Sequence, residues 1–309
     1  MDLVDTLRSK IDTLADGEYT AGLRAVLAHI ETAFAHLRRG QDQNDETAFT
    51  DVIYRCNQAF EGSIKEAYRV LASKDPNKKT LHKIEGYLED NDIFRERVLS
   101  QFNNYRTEWR NPSTHDYKLD FDDSESFLAI VSVSAFACVL IDQIARQLAF
   151  ANAVKSTDTK KNEIEIDSTS NEDLPTIVTN LCEEFSKINT DPSSVQTELQ
   201  LMGALTGFIT TVMPNLETTL DYRLSHASNE RGDLLIANPN DRVLIELKRT
   251  NKMKNVVDGV AQLTRYLALT GLKQGVLFAF PPGGGPLKME RHFVEPLGAT
   301  VTVLRGKNI

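Results

Sequence analysis

Arg231-Gly-Asp-Leu-Leu-Ile-Ala-Asn-Pro-Asn-Asp-Arg-Val-Leu-Ile-Glu-Leu-Lys248 is the stretch from which the rest of the chain can be read. It has the pattern of a hairpin, two apolar strands joined by a turn at Asn238-Pro239-Asn240. Asp233 lies near the start of the first strand, and Glu246 and Lys248 lie near the end of the second. Residues two apart on a strand share a face, so Glu246 and Lys248 project together while Val243, Ile245 and Leu247 project into a core. Carboxylates and an amine at the ends of apolar strands suit a divalent metal held against a phosphate.

The flanking sequence extends this pattern. Upstream, a helix spans about 174–188. A second is expected to start at Asp191-Pro192-Ser193-Ser194 and run to about 213, with Glu198 in its first turns. Residues 218–225 alternate like a strand. Downstream, Lys248, Arg249, Lys252 and Lys254 place four cations within seven residues, a local edge for phosphates. A helix over about 255–270 carries Val256, Val260, Leu263 and Leu267 on one face, with Gln262 and Tyr266 one turn apart. The wholly apolar run 276–280 reads as a buried strand. The loop Pro-Pro-Gly-Gly-Gly-Pro reads as flexible, and a last strand covers 300–304. The expected order is α-α-β-β-β-α-β, with one further strand.

That order, with Asp233 followed by Glu246-Leu-Lys248, resembles the PD-(D/E)XK nuclease superfamily over about 174–305. Gly232 stands where the founding motif has proline. The resemblance implies an α/β domain with a central mixed sheet. It assigns Asp233, Glu246 and the Leu247 carbonyl to a Mg²⁺ (or Mn²⁺) ion. Glu198 would hold a metal-bound water or second ion, Lys248 would meet the attacking water or scissile phosphate, and Gln262 would assist from the following helix. Gln196, Glu217 and Gln274 are the alternatives for Glu198 and Gln262 if the helix register differs. Taken singly, a Glu-x-Lys pair is also an ordinary strand ion pair, and an Asp after Gly an ordinary turn residue.

Residues 1 to about 155 show helical periodicity throughout. Apolar stripes run through Leu3–Leu14, Leu23–Leu37, Val52–Leu71 and Leu81–Phe102. A fifth helix is expected from Asp122, where Asp-Asp-Ser-Glu has the form of a capping box. It continues through an apolar run, 127–141, that is too short to cross a bilayer. Pro112 disfavours a helical Asn111, so the fourth helix is expected to end near Arg110 with His115 on the connection. Arg110, Asn111 and His115, set before the most apolar helix of an all-helical domain, resemble the Arg-x(4–6)-His element of the HEPN superfamily. This resemblance implies pairing of two copies and, in catalytic members, RNA cleavage by Arg and His without a metal. The plainer reading makes Arg110 a helix cap and His115 a loop residue.

The whole is therefore read as α + α/β: a HEPN-like bundle over 1–155, a polar linker over 156–173 and a nuclease domain over 174–309. Among the 309 residues, 41% are hydrophobic and 26% charged, as in globular proteins. The net charge of −9 argues against a generally basic nucleic-acid coat but leaves room for a local groove. Cys56, Cys138 and Cys182 lie far apart without metal or disulfide spacing and read as buried, reduced thiols of a cytoplasmic protein. The start, Met-Asp-Leu-Val-Asp, lacks signal-peptide character, and no membrane partner is expected. Gly283–Gly285 lack the Lys-Ser/Thr of a P-loop, His226 and His292 lack metal-spaced partners, and Trp109 reads as packing.

Fusions of these two types resemble bacterial anti-phage defence effectors. The resemblance implies metal-dependent hydrolysis of nucleic-acid phosphodiesters, DNA favoured over RNA, by a homodimer controlled by an inhibitory or activating partner. Two other functions fit the sequence. One is a ribonuclease using Arg110 and His115, with the C-terminal domain binding nucleic acid. The other is a dimeric adaptor without enzymatic activity.

Overall fold

The structure is a computed structural model and describes residues 2–115, 119–160, 164, 172–225 and 230–307, with the His115 side chain outside the description. The chain divides into two compact units, Met1–Gln147 and Leu148–Ile309.

The first unit is helical: α1 (Leu3–Asp12), α2 (Glu18–Gln43), α3 (Thr47–Leu71), α4 (Leu81–Asp90), α5 (Glu96–Tyr105), α6 (Asn111–His115) and the start of α7 (Asp123–Lys160). α2 ends because Asn44 turns left-handed at φ 55° and so reverses the chain into α3. The expected capping box opens α7: Glu125 N–H donates to the Asp122 carboxylate and Asp122 N–H to that of Glu125. Ile130, Val133, Phe136, Leu140 and Ile144 of α7 are fully buried, and Phe136 packs in an aromatic cluster with Phe60, Phe94 and Phe102. By length and composition α7 could cross a membrane, yet more than half of its most apolar window is buried inside the protein.

Two expectations for this unit are corrected. The run Leu81–Phe102 is two helices, because Asp92 adopts φ 50° between α4 and α5. The helix also does not stop at Arg110. Arg106–Arg110 widen into a π turn in which Asn111 N–H donates to the Arg106 carbonyl, and α6 continues through Pro112. The widened turn accommodates proline, which lacks an N–H and clashes with the carbonyl four residues back. Ser113 and Thr114 hydroxyls then donate to the Arg110 carbonyl.

The second unit is an α/β layer structure. After the tail of α7 come α8 (Leu174–Ile188) and α9 (Glu198–Val212), then β1 (Glu217–Arg223), β2 (Arg231–Ala237), β3 (Arg242–Arg249), α10 (Met253–Thr270), β4 (Gln274–Phe280), β5 (Leu287–Val294) and β6 (Ala299–Gly306). α7 extends to Lys160, so the expected linker begins as helix, and 161–163 and 165–171 lie outside the described residues. The sheet order is β1-β2-β3-β4-β6-β5. β3, β4 and β6 run parallel, while β1, β2 and β5 are antiparallel to their neighbours. Val243, Ile245 and Leu247 enter the core built with α8 and α9, whereas Leu244, Leu277 and Val303 pack with α10 on the other face. The expected alternation of β3 is thus observed.

Three details differ from expectation. β5 is an additional strand that the apolar pattern does not announce. α9 begins at Glu198, after a turn over 191–194 in which Asp191 accepts from Ser193. The Gly283–Gly285 loop is docked: Gly285 N–H donates to the Ser186 carbonyl, and the Ser186 hydroxyl donates to the Gly285 carbonyl. Gly284, at φ 61°, lies so close to the end of α8 that an added Cβ would fall 2.4 Å from the Ser186 oxygen.

Gly207 marks a close approach of α9 to the tail of α7, since a Cβ there would lie 2.5 Å from the Phe150 carbonyl oxygen. Alanine normally stabilises a helix interior relative to glycine by about 1 kcal/mol. Here Gly207→Ala is expected to destabilise by about 1–3 kcal/mol through overpacking. A thermal melt at or above the wild-type midpoint would contradict the packing described.

Candidate active site

The β2–β3 hairpin comes apart at one end. Paired residues run from Ala237↔Arg242 to Leu234↔Ile245 and no further, while β3 continues beside β4 as far as Arg249↔Phe280. At the point of separation Asp233 Oδ2 accepts the Leu247 N–H at 2.7 Å. A side-chain carboxylate thus replaces the missing ladder bond, and β2 and β3 leave a notch between them. On a strand a residue's N–H and C=O face the same edge, so the Leu247 carbonyl also faces this notch.

Glu246 lies on the notch wall at 1% exposure. Its Oε1 accepts from Lys248 Nζ at 2.7 Å, and its Oε2 is buried without a hydrogen-bond partner among the described residues. The Lys248 stem runs along Gly259 of α10, where a Cβ would sit 3.5 Å from Lys248 Cγ. The closer approach at Gly259 is to Leu277, whose Cδ1 would lie 2.8 Å from such a Cβ, so the glycine lets α10 pack down on β4 beside Lys248.

Glu198 is placed by a capping box that the sequence contains as Thr-Glu-Leu-Gln. Gln200 N–H donates to the Thr197 hydroxyl, and the Gln200 side-chain oxygen accepts from Thr197 N–H. As the first residue of α9, exposed Glu198 accepts the Arg249 N–H at 3.3 Å, at the end of β3. It lies near enough for its charge to act on Asp233, Glu246 and Lys248.

The electrostatics follow from burial. Desolvation raises the Asp233 carboxyl and, helped by the charge of Asp233, that of Glu246. For Lys248, burial pushes the amine down, but the Glu246 hydrogen bond and the three nearby carboxylates outweigh it and leave its pKa raised. Lys248 is therefore a fixed cation.

The remaining expected site residues are placed as follows. The Gln262 amide donates to the Tyr266 hydroxyl at 2.8 Å, so it is held within α10 and not by the acids. Of the alternatives, Gln196 donates to the Ser193 carbonyl, while Glu217 and Gln274 lie at the far ends of β1 and β4. Arg249 Nε is turned to the Val195 carbonyl at 2.6 Å, tying β3 to the entrance of α9. Lys252 and Lys254 are exposed. In the helical unit Arg110 donates to Asn111 Oδ1 at 2.9 Å. Its charge reaches buried Glu85, whose Oε1 has no partner among the described residues. The His115 side chain, the expected partner of Arg110, and His226 lie outside the described residues.

Among the described residues no three acidic, His or Cys groups are already gathered as a metal site. The donors nearest to one are Asp233 and Glu246, with the Leu247 carbonyl on the same edge and Glu198 on the rim. This all-oxygen set, with one lone buried carboxylate oxygen, fits a hard divalent cation that keeps several waters.

Residues 198–291 match the family model of the PD-(D/E)XK nuclease superfamily. The match begins at Glu198 and contains Asp233, Glu246 and Lys248; it supports a nuclease domain within the second unit. No curated protein and no solved structure matches the chain.

The buried, mutually repelling carboxylates should weaken the metal-free fold. Their folded pKa values are raised, so between the unfolded and folded values the folded chain binds more protons. Wild type in EDTA should therefore gain stability as pH falls from 8 toward 6, and Asp233→Asn should flatten that gain. At pH 8 in EDTA the variant should melt higher than wild type, by roughly 1–3 kcal/mol in stability. It should also lose the stabilisation that Mn²⁺ gives wild type. A variant that melts lower in EDTA yet gains fully from Mn²⁺ would contradict this assignment.

Proposed function

We propose that this protein is a divalent-metal-dependent nuclease acting on DNA in preference to RNA. The observation carrying this reading is Glu246: a buried carboxylate with one oxygen held by Lys248, the other unpartnered, beside Asp233 at the point where two strands separate. Burying two carboxylates beside a single amine, with one oxygen unpartnered, is costly, and a bound divalent cation would offset that cost.

Asp233 and Glu246 would hold Mg²⁺ or Mn²⁺ with the Leu247 carbonyl, and Glu198 would hold a bound water from the rim. The ion would supply a more acidic water and stabilise the negative charge that develops on phosphorus. Lys248, whose amine is held up by its carboxylate neighbours, would place positive charge at the scissile phosphate or orient the attacking water. Lys252 and Lys254 meet the adjoining backbone, while Arg249 fixes the approach of Glu198 to β3. Gln262, bonded to Tyr266, supports the α10 face.

The helical unit is proposed as a HEPN-like module through which two copies pair, which would give two nuclease sites per assembly. Cytoplasmic anti-phage defence, under an activating or inhibitory partner, is the setting that agrees with a self-damaging enzyme. Cleavage of RNA by Arg110 and His115 is the second reading. It is favoured by the π turn ending at Arg110, since such turns recur at functional sites.

The two readings separate in one assay. Wild type, Lys248→Ala and His115→Ala are each incubated with DNA and RNA, in Mg²⁺ and in EDTA. DNA cleavage is expected only in Mg²⁺, lowered roughly 10²–10³-fold by Lys248→Ala and unaffected by His115→Ala. RNA cleavage that survives EDTA and is lost only in His115→Ala would place the chemistry in the helical unit.

A further inference from the structure

The register of the sheet places a second cluster of cations on the same face as Lys248. Lys248 pairs with Ala279, Ala279 with Arg305, and Arg305 with Lys288, so these four residues form one row across β3, β4, β6 and β5. Paired residues of a sheet share a face, here the face packed against α10. The row lies close to the carboxyl ends of the three parallel strands, the end at which open α/β sheets bind ligands. Lys252 and Lys254 begin α10 at this end, because only three residues separate β3 from the helix.

Arg305 is 8% exposed, and its Nε is buried without a partner among the described residues. A second guanidinium nitrogen donates to Glu290 Oε1 at 2.7 Å, and Lys288 Nζ lies 2.8 Å from the same oxygen. His292 Nε2 is 4.0 Å from the other Glu290 oxygen. Lys288 and then Arg305 hold the Glu290 carboxyl far down, at about 2. One carboxylate is thus shared by two cations, which leaves an excess of positive charge and an unused buried donor. A simple edge-strand ion pair would need neither. Two strand spacings, roughly 10 Å, separate Arg305 from Lys248, which is about the axial rise of three nucleotides along one strand of a duplex.

We infer that Arg305 and Lys288, organised by Glu290, form a second phosphate subsite that takes the nucleic-acid backbone leaving the scissile bond. The inference rests on the nuclease reading above and extends it to substrate grip. Such contacts carry no base information, so they act alike on all sequences. Glu290 orients the two cations and also competes with phosphate for them, so its charge limits affinity.

The test is fluorescence anisotropy with two 20-base-pair DNA duplexes of unrelated sequence, in Ca²⁺, across a salt series. Thermal melts and Mg²⁺-dependent cleavage of the same proteins are measured alongside. Lys288→Ala, at an exposed position, and Arg305→Gln should each weaken binding of both duplexes several-fold. Each should also flatten the dependence of log K on log salt by about one in slope. Glu290→Gln should tighten binding. If wild type binds and cuts while all three variants keep its affinity and salt slope, with only their melting temperatures lowered, the cluster merely ties β5 to β6 and the inference falls alone. If wild type neither binds nor cuts the duplexes, both the subsite and the nuclease reading fall.

Discussion

The site depends on a hydrogen bond that a backbone ladder would ordinarily make. Where β2 leaves β3, the Leu247 N–H would be left without its strand partner, and Asp233 supplies a carboxylate oxygen in its place. That exchange keeps Asp233 in the notch and lets β3 continue as the partner of β4. It also fixes Glu246, which must face the notch because Ile245 and Leu247 occupy the core on the other side. Lys248 follows by alternation, with its stem beside Gly259, where α10 packs closely on Leu277 of β4. Asp233, Glu246 and one amine then converge where desolvation penalises both acids, with Glu198 on the exposed rim. A fold that merely needed stability would fill the notch with apolar side chains, and the retained repulsion supports the proposed metal site, where stability would be exchanged for binding.

Much of this is legible in the sequence because the relevant period is two. Asp233, Glu246 and Lys248 stand out against Leu, Ile and Val, and their faces follow from counting. The helices of the first unit are legible from their apolar stripes, and the start of α7 from its capping box. The start of α9 is easily misplaced because Asp191 and Ser193 form a turn with the same chemistry as a helix cap. The capping box at Thr197 and Gln200 is the better signal. β5 is hidden because it is an edge strand in which Lys288, Glu290 and His292 fill one face and Arg291 interrupts Leu287, Met289 and Phe293 on the other, so its apolar alternation is short and broken. Pro112 misleads because the rule against a helical residue before proline assumes a regular helix, and the π turn relaxes it.

Other parts cannot be read from one dimension. Gln262 lies at the spacing of a site residue, but its amide is taken by Tyr266, a choice that helix periodicity leaves open. Arg249 belongs to a basic run, yet its guanidinium faces a backbone carbonyl next to α9. The row from Lys248 to Lys288 needs the register of four strands, one of them hidden in the sequence, before its members become neighbours. Sequence patterning locates the chemistry, and strand register determines what surrounds it.

The most direct test of metal binding in the notch is an anomalous difference map from crystals of the protein grown with Mn²⁺. A peak is expected about 2.1 Å from Glu246 Oε2, with an Asp233 oxygen also in its coordination sphere and Lys248 still within hydrogen-bond distance of Glu246. A map with no peak in the notch, and Glu246 Oε2 satisfied instead by a protein donor, would contradict it.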